Sequence, residues 1–220
     1  MNRDDISRKY DGLADSYSDR YADPDAVARF FVGLVRGWGP RVEPPATVLE
    51  LGCADGFMTQ ALAAAGYAVT AVDVAPRMID VARDRLAAAG LEANFQVADI
   101  RSFQPGRRFD VVLGAMWTFF AYVEEPLPVL RRLLAASASK LIVDINPRTH
   151  PVAAGRRTLI SAGSRSVATT PVAISHRHRL SPRARVAMEI ALGTPGLRGV
   201  LLRRKFTVAL LGIPAPSASP

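Results

Sequence analysis

The segment from Val48 to Asp73 constrains the fold more than any other part of the chain. An apolar run, Val48-Leu49-Glu50-Leu51, leads into Gly52-Cys53-Ala54-Asp55-Gly56. An alanine-rich stretch follows from Phe57 to Ala65, closed by Gly66. A second apolar run, Ala68 to Asp73, ends on an acid. Strand, glycine loop, helix and strand in that order form the repeating unit of a parallel sheet. Gly52 lets the chain turn sharply at the strand end. Gly56 permits close packing, or close approach of a ligand, at the helix start. Backbone N–H groups at such a start favour negative or polar groups. A carboxylate at Asp73 can accept both hydroxyls of a ribose; a turn or capping role is its alternative.

The alternation continues downstream. Pro76 opens a helix with Ile79, Ala82, Leu86 and Ala89 on one face, and Gly90 ends it. Strands are expected over 94–99, 109–115 and 140–145, with a helix over 127–136. Upstream, Tyr10, Leu13, Ala14, Tyr17 and Tyr21 fall on one face if the first 23 residues are helical. A second helix is expected over 25–37, capped by Asp23 with Pro24 in its first turn. The whole reads as one α/β domain with helices on both faces of a parallel sheet, within the length of a single domain.

The loop Gly52 to Met58 lacks the G-x-G-x-x-G spacing of dinucleotide enzymes. The run Val48 to Gly56 instead resembles the first motif of the class I S-adenosylmethionine-dependent methyltransferases, with Ala54 where a middle glycine is usual. Asp73-Val74-Ala75-Pro76-Arg77-Met78 resembles that family's ribose-binding acid and the helix start after it. Val97-Ala98-Asp99-Ile100 resembles the strand end whose acid meets the adenine amino group. Phe109-Asp110-Val111-Val112 resembles the fourth strand, after which Ala115 and Met116 would border the cofactor. The run Lys9 to Tyr17 resembles a helix that many small-molecule members fold over the cofactor. The resemblance covers roughly residues 8–146. It implies a Rossmann-like, doubly wound, seven-stranded sheet, mostly parallel with an antiparallel last strand. It also implies S-adenosyl-L-methionine as cofactor, held by Tyr17, Glu50, Gly52, Ala54, Gly56, Asp73, Val74, Met78, Asp99, Ile100, Ala115 and Met116. The domain would divide into a helical cover (1–40), a cofactor-binding core (46–146) and a substrate half (147–213), with a disordered tail (214–220).

The family shares no universal catalytic residue, so acceptor-side candidates are sought locally. His176 and His178, two residues apart after the expected sixth strand (165–174), are the candidate bases. An unperturbed imidazole titrates near pH ~6.5. His150, after the fifth strand, is a candidate for the substrate side together with Tyr10, Trp117 and Phe120. Trp117, Phe119, Phe120 and Tyr122 stand at a strand end on the ligand face, where they form either an apolar substrate wall or core packing. Pro171 makes the sixth strand an edge or a bulge. The last strand is expected over 206–213. The connection 175–205 would then leave and re-enter at the ligand edge. Its arginines, interleaved with apolar residues, form either a basic lid or a helix pair with a solvated face.

Charge and composition leave the partner open. The net charge is +8, with +11 from Lys140 onward and −3 before it. A basic half fits nucleic acid, an anionic membrane surface or an acidic substrate, and so does an arginine-rich composition with no polyanionic partner. A small-molecule acceptor, reacting at oxygen, nitrogen or carbon, is the leading reading. The acceptor could be anionic, lipid-like or a natural-product intermediate. Nucleic acid is not the expected partner, because Gly114-Ala115-Met116-Trp117 stands where base-modifying enzymes carry an Asn/Asp-Pro-Pro-Tyr type motif. An RNA or DNA methyltransferase and a non-catalytic cofactor-binding scaffold remain as alternatives. Peripheral contact with an anionic membrane surface stays open. No metal-ligand spacing is present. A single cysteine, Cys53, and a polar N-terminus fit a cytoplasmic setting.

Overall fold

A computed structural model describes residues 1–21, 23–114, 118–147, 149–172 and 207–215. Seven strands form one sheet: β1 (Thr47–Leu51), β2 (Ala68–Asp73), β3 (Asn94–Val97), β4 (Phe109–Gly114), β5 (Ser137–Ile145), β6 (Ser166–Val172) and β7 (Thr207–Ile213). Their order is β3-β2-β1-β4-β5-β7-β6. β1 to β5 run parallel, and β7 is antiparallel to both neighbours. The order reverses at β1, between β2 and β4. In open α/β sheets ligands bind at that switch point, beyond the carboxyl ends of the strands.

The seven described helices are α1 (Arg3–Asp11), α2 (Pro24–Gly37), α3 (Phe57–Ala64), α4 (Pro76–Ala88), α5 (Thr118–Tyr122), α6 (Pro126–Ala136) and α7 (Val152–Ser161). Alternate residues of the central strands face opposite layers. Val48, Val69, Val111, Leu113 and Ile142 pack with Val27, Phe31 and Val35 of α2 and Leu62 of α3. Leu49, Leu51, Val112, Leu141 and Val143 pack with Leu130 and Leu133 of α6 and Leu159 of α7. Burial on both faces explains why these strands read as continuous apolar runs.

One basic residue lies buried among the described residues. Lys140 in β5 is fully buried, and its ammonium donates to the carbonyls of Val35 and Trp38 at 2.8 Å and Leu34 at 3.4 Å. The end of a helix leaves carbonyls unsatisfied and carries partial negative charge. Lys140 therefore ties the C-terminus of α2 to the sheet. Burial lowers its pKa to about 8.

Several expectations need correction. The N-terminal stretch is not one helix: α1 stops at Gly12, and two short 3-10 turns, Ala14–Ser16 and Ser18–Arg20, carry the chain onward. α5 and α7 were not expected. β3 ends at Val97, so Asp99 lies in the loop beyond it. β6 is an edge strand, where Pro171 is tolerated. α2 begins on Pro24 with Asp23 accepting from the Ala26 N–H at 2.8 Å, as its sequence predicts.

Candidate active site

At the carboxyl ends of β1 and β2 the glycine loop turns under positive φ, at Gly52 (72°), Ala54 (49°) and Gly56 (77°). Left-handed backbone suits glycine and costs alanine roughly 1–2 kcal/mol. The departure at Ala54 is thus a strained position. It is held by its N–H, which donates to Asp73 at 2.9 Å. Asp73 also accepts from the Ala75 N–H at 2.9 Å. This buried carboxylate therefore fixes the glycine loop on one side and the start of α4 on the other. Burial pushes its pKa up, against the backbone hydrogen bonds of Ala75, Ala54 and Val74.

Above this floor lies an open cleft. It is bordered by Gly52, Ala54, Asp73, Val74, Asp99 and Ile100 from the sheet side and by Tyr10 and Tyr17 from the N-terminal cover. All eight are sequence candidates. Ile6, Arg101 and Tyr122 border it as well. Tyr122 belongs to the aromatic stretch singled out in the sequence, whereas no motif or periodicity signals Ile6 or Arg101. An adjoining pocket of about 270 Å³ lies between Tyr17, Glu50, Gly52, Cys53, Ala54, Phe57 and Met58.

Polar contacts hold the cover in place. Tyr10 and Tyr122 share a hydrogen bond between their hydroxyls, and Lys9 donates to Tyr122 at 3.2 Å. The Arg77 N–H donates to Asp11 and its guanidinium to Asp15, both at 2.9 Å. Asp55, buried in the glycine loop, pairs with Arg85 at 2.7 Å and accepts from the Ser18 N–H at 3.2 Å. Burial, together with neighbouring phenols, raises the pKa of both Tyr10 and Tyr17. These phenols stay protonated at working pH and act through hydrogen bonds rather than as bases.

Glu50 is buried and accepts from the Thr59 hydroxyl at 2.7 Å. Burial, with Asp73 and Asp55 nearby, raises its pKa to about 8, with the Thr59 bond working the other way. The unfolded chain loses this proton near pH 4.5, whereas the folded chain keeps it to about 8. The folded state thus binds more protons between those values, and stability falls as pH rises through them. We expect Glu50→Gln to flatten that decline. Thermal midpoints measured from pH 5 to 8.5 should converge toward low pH and separate toward high pH. Parallel profiles would show that Glu50 titrates normally.

Other candidates lie elsewhere. Met78 is fully buried against Ala14, Ala54 and Ala75, because the phase of α4 turns it inward; it does not border the cleft. Gly56 serves packing: a Cβ there would meet Ala82 of α4. Phe120 is buried with Phe119 in the layer of α6 and α7, close to where Gly155 leaves room for it. Only Tyr122 of the described aromatic stretch borders the cleft. His150 stands in the turn after β5, its ring 6.0 Å from that of Phe120, and is not among the residues bordering the cleft. Ala115, Met116, Trp117, His176 and His178 lie outside the described residues, as do the basic connection 175–205 and the end of the tail.

The donor set can be tested against the cofactor that the resemblance implies. Asp73 suits a pair of hydroxyls, and the apolar surfaces of Ile6, Val74 and Ile100 suit a purine. The residues fit.

Residues 48–153 match the family model described as a methyltransferase domain. The ubiquinone biosynthesis O-methyltransferase of Xanthomonas campestris pv. campestris (strain B100) is 34% identical over 91 residues, 40% of this chain and 37% of that protein. Nodulation protein S of Sinorhizobium fredii (strain NBRC 101917 / NGR234) is 31% identical over 125 residues, 54% of this chain and 57% of that protein. The chain therefore spans well under two thirds of these curated relatives. The crystal structure of magnesium protoporphyrin IX methyltransferase from Synechocystis PCC 6803 with bound S-adenosylmethionine covers 98% of both chains, with a TM-score of 0.63 and 18% identity. At that identity the likeness is one of fold.

Proposed function

We propose, for a chain whose residues 48–153 match the family model of a methyltransferase domain, that its activity is S-adenosylmethionine-dependent methyl transfer to a small organic acceptor. The observation that carries this reading is the cleft itself. Its floor offers Asp73, and its roof is the chain's own N-terminal segment, with Tyr10, Tyr17 and Tyr122 facing inward. A phenol-edged cleft suits an aromatic or otherwise apolar acceptor with one polar handle. We take a hydroxyl oxygen as the acceptor atom, in keeping with the O-methyltransferase relative.

The bound cofactor supplies a methyl group already activated on a sulfonium. This chain's residues then have three tasks. Asp73 and the Gly52–Ala54 loop fix the position from which the methyl departs. Tyr10, Tyr17 and Tyr122 narrow the approach and exclude water. The Tyr10 and Tyr17 hydroxyls can hold the acceptor in line without taking its proton, because burial keeps them protonated. A base is needed only where the acceptor hydroxyl is not already ionised; His176 and His178 remain the candidates for that task.

The test is turnover of S-adenosylmethionine to S-adenosylhomocysteine with a panel of phenols, catechols, aliphatic alcohols and amines. Acceptor-dependent turnover with hydroxylated aromatics is expected. Tyr17→Phe should lower kcat/KM by about 10-fold, the worth of one hydrogen bond at 1–1.5 kcal/mol. Cofactor binding without turnover across the panel would favour a non-catalytic scaffold. RNA-dependent turnover would favour the nucleic-acid reading. The membrane proposal is peripheral contact through the basic half, tested by flotation with anionic vesicles.

A further inference from the structure

The base end of the cleft holds an arrangement that the motifs do not foretell. Asp99, the acid expected to read an adenine amino group, is already engaged by Arg101. The Arg101 backbone N–H donates to Oδ1 at 2.9 Å. Its Nε lies 3.0 Å from Oδ1 and 2.9 Å from Oδ2, and its Nη2 lies 2.5 Å from Oδ2. An ionised carboxylate has about four lone-pair sites. Three N–H groups of Arg101 thus engage both oxygens, the Nε–H shared between them.

Arg101 is also held from its other sides. Its Nη1 donates to the Met1 carbonyl at 3.1 Å, and the Met1 ammonium lies 3.5 Å from Glu124. Arg132 of α6 donates to the carbonyls of Ile100 and Arg101 at 3.2 and 3.0 Å. The side chain and its loop are therefore pinned by the N-terminal residue and by α6, and the Asp99 side chain is only 12% exposed. Burial alone would raise the pKa of Asp99, yet the Arg101 contacts hold it below the usual carboxylate value.

We propose that Arg101 is the specificity-determining residue at the base end of the cleft, occupying Asp99 so that the purine is recognised by shape and by ring acceptors rather than by its amino group. A guanidinium only donates. The N–H groups of Arg101 not used by Asp99 and Met1 can meet a ring nitrogen or a carbonyl oxygen. They cannot meet an amino group. The site therefore tolerates replacement of adenine by hypoxanthine, and it owes that tolerance to one side chain. The inference rests on the cofactor reading above and goes beyond it, since the family resemblance gives the amino group to the acid.

Calorimetric titration with S-adenosyl-L-homocysteine and S-inosyl-L-homocysteine separates the cases. The wild-type chain should bind the two within about 5-fold of each other. In Arg101→Met the carboxylate is released, and the adenosyl ligand should gain a preference of at least about 10-fold, the worth of a hydrogen bond to a charged group. Arg101→Lys supplies a single point charge in place of the planar fork and should fall between, which keeps the test in hand if the Met variant folds poorly. A wild-type preference above 10-fold for the adenosyl ligand that persists or shrinks in both variants overturns the proposal. It would mean that Arg101 yields Asp99 to the amino group. If neither ligand binds the wild-type chain, the cofactor reading falls and this inference with it, an outcome distinct from binding with strong selectivity.

Discussion

Asp73→Ala is expected to weaken S-adenosylhomocysteine binding at least 100-fold. The carboxylate has two neighbours of its own, the N–H groups of Ala54 and Ala75. In the cleft it can also accept two ribose hydroxyls. Hydrogen bonds to a charged acceptor contribute about 1.5–3 kcal/mol each, so losing two costs a factor of 10² or more in affinity. The same substitution strands two buried donors, at roughly 1–3 kcal/mol each. The expected signature is therefore double: a collapse of affinity in calorimetry and a fall in thermal stability. A variant that loses stability but still binds within 10-fold would make Asp73 a turn residue only, the alternative open from the sequence alone.

Gly56→Ala should produce the largest loss of stability of any single methyl addition near the site. Its φ of 77° is left-handed, which costs an L-residue about 1–2 kcal/mol. A Cβ would stand 2.7 Å from the Ala82 Cβ and 2.9 Å from the Ala82 Cα. The second contact is backbone, so no side-chain rotation relieves it, and overpacking of this kind costs about 1–3 kcal/mol. Together the effects reach roughly 2–5 kcal/mol, a large share of a typical domain's stability of 5–15 kcal/mol. Pairing the change with Ala82→Gly removes the Cβ–Cβ clash and leaves the backbone terms. Partial recovery of the denaturant midpoint is expected. A loss below about 1 kcal/mol for Gly56→Ala alone would show that α3 and α4 separate freely.

How much of this was legible beforehand differs between the halves of the site. The sheet side was, because periodicity and glycine placement are local: β2 runs from Ala68 to Asp73 as expected, and Gly52, Ala54, Asp73, Val74 and Ile100 meet at one cleft. The cover was legible in part. Tyr10 and Tyr17 reach the cleft although the single helix that suggested them does not exist; the break at Gly12 and the two tight turns deliver them by another route. Met78 misled because a helix start after a motif acid can face the ligand or the core, and only the packing of Ala14 and Ala75 decides. Phe120 misled for a related reason. An aromatic at a strand end serves wall or core equally well until the next element is placed, and α7 had left no periodic signal strong enough to place it. Arg101 has no local signature at all. Its role follows from Met1, Asp99 and Arg132 converging across roughly a hundred residues of chain.

The pairing of β6 with β7 carries a consequence for how such a chain can diversify. Val172 and Thr207 are register partners, and Val208 stands beside Ile145 at the carboxyl end of β5. The described parts of β6 and β7 thus meet at one rung, at the carboxyl end of β5. The register of β5, β6 and β7 is fixed by pairs on the sheet side of that rung, whatever segment joins Val172 to Thr207. The rung is a natural splice point. Exchanging that segment between related chains is expected to leave the strand register unchanged.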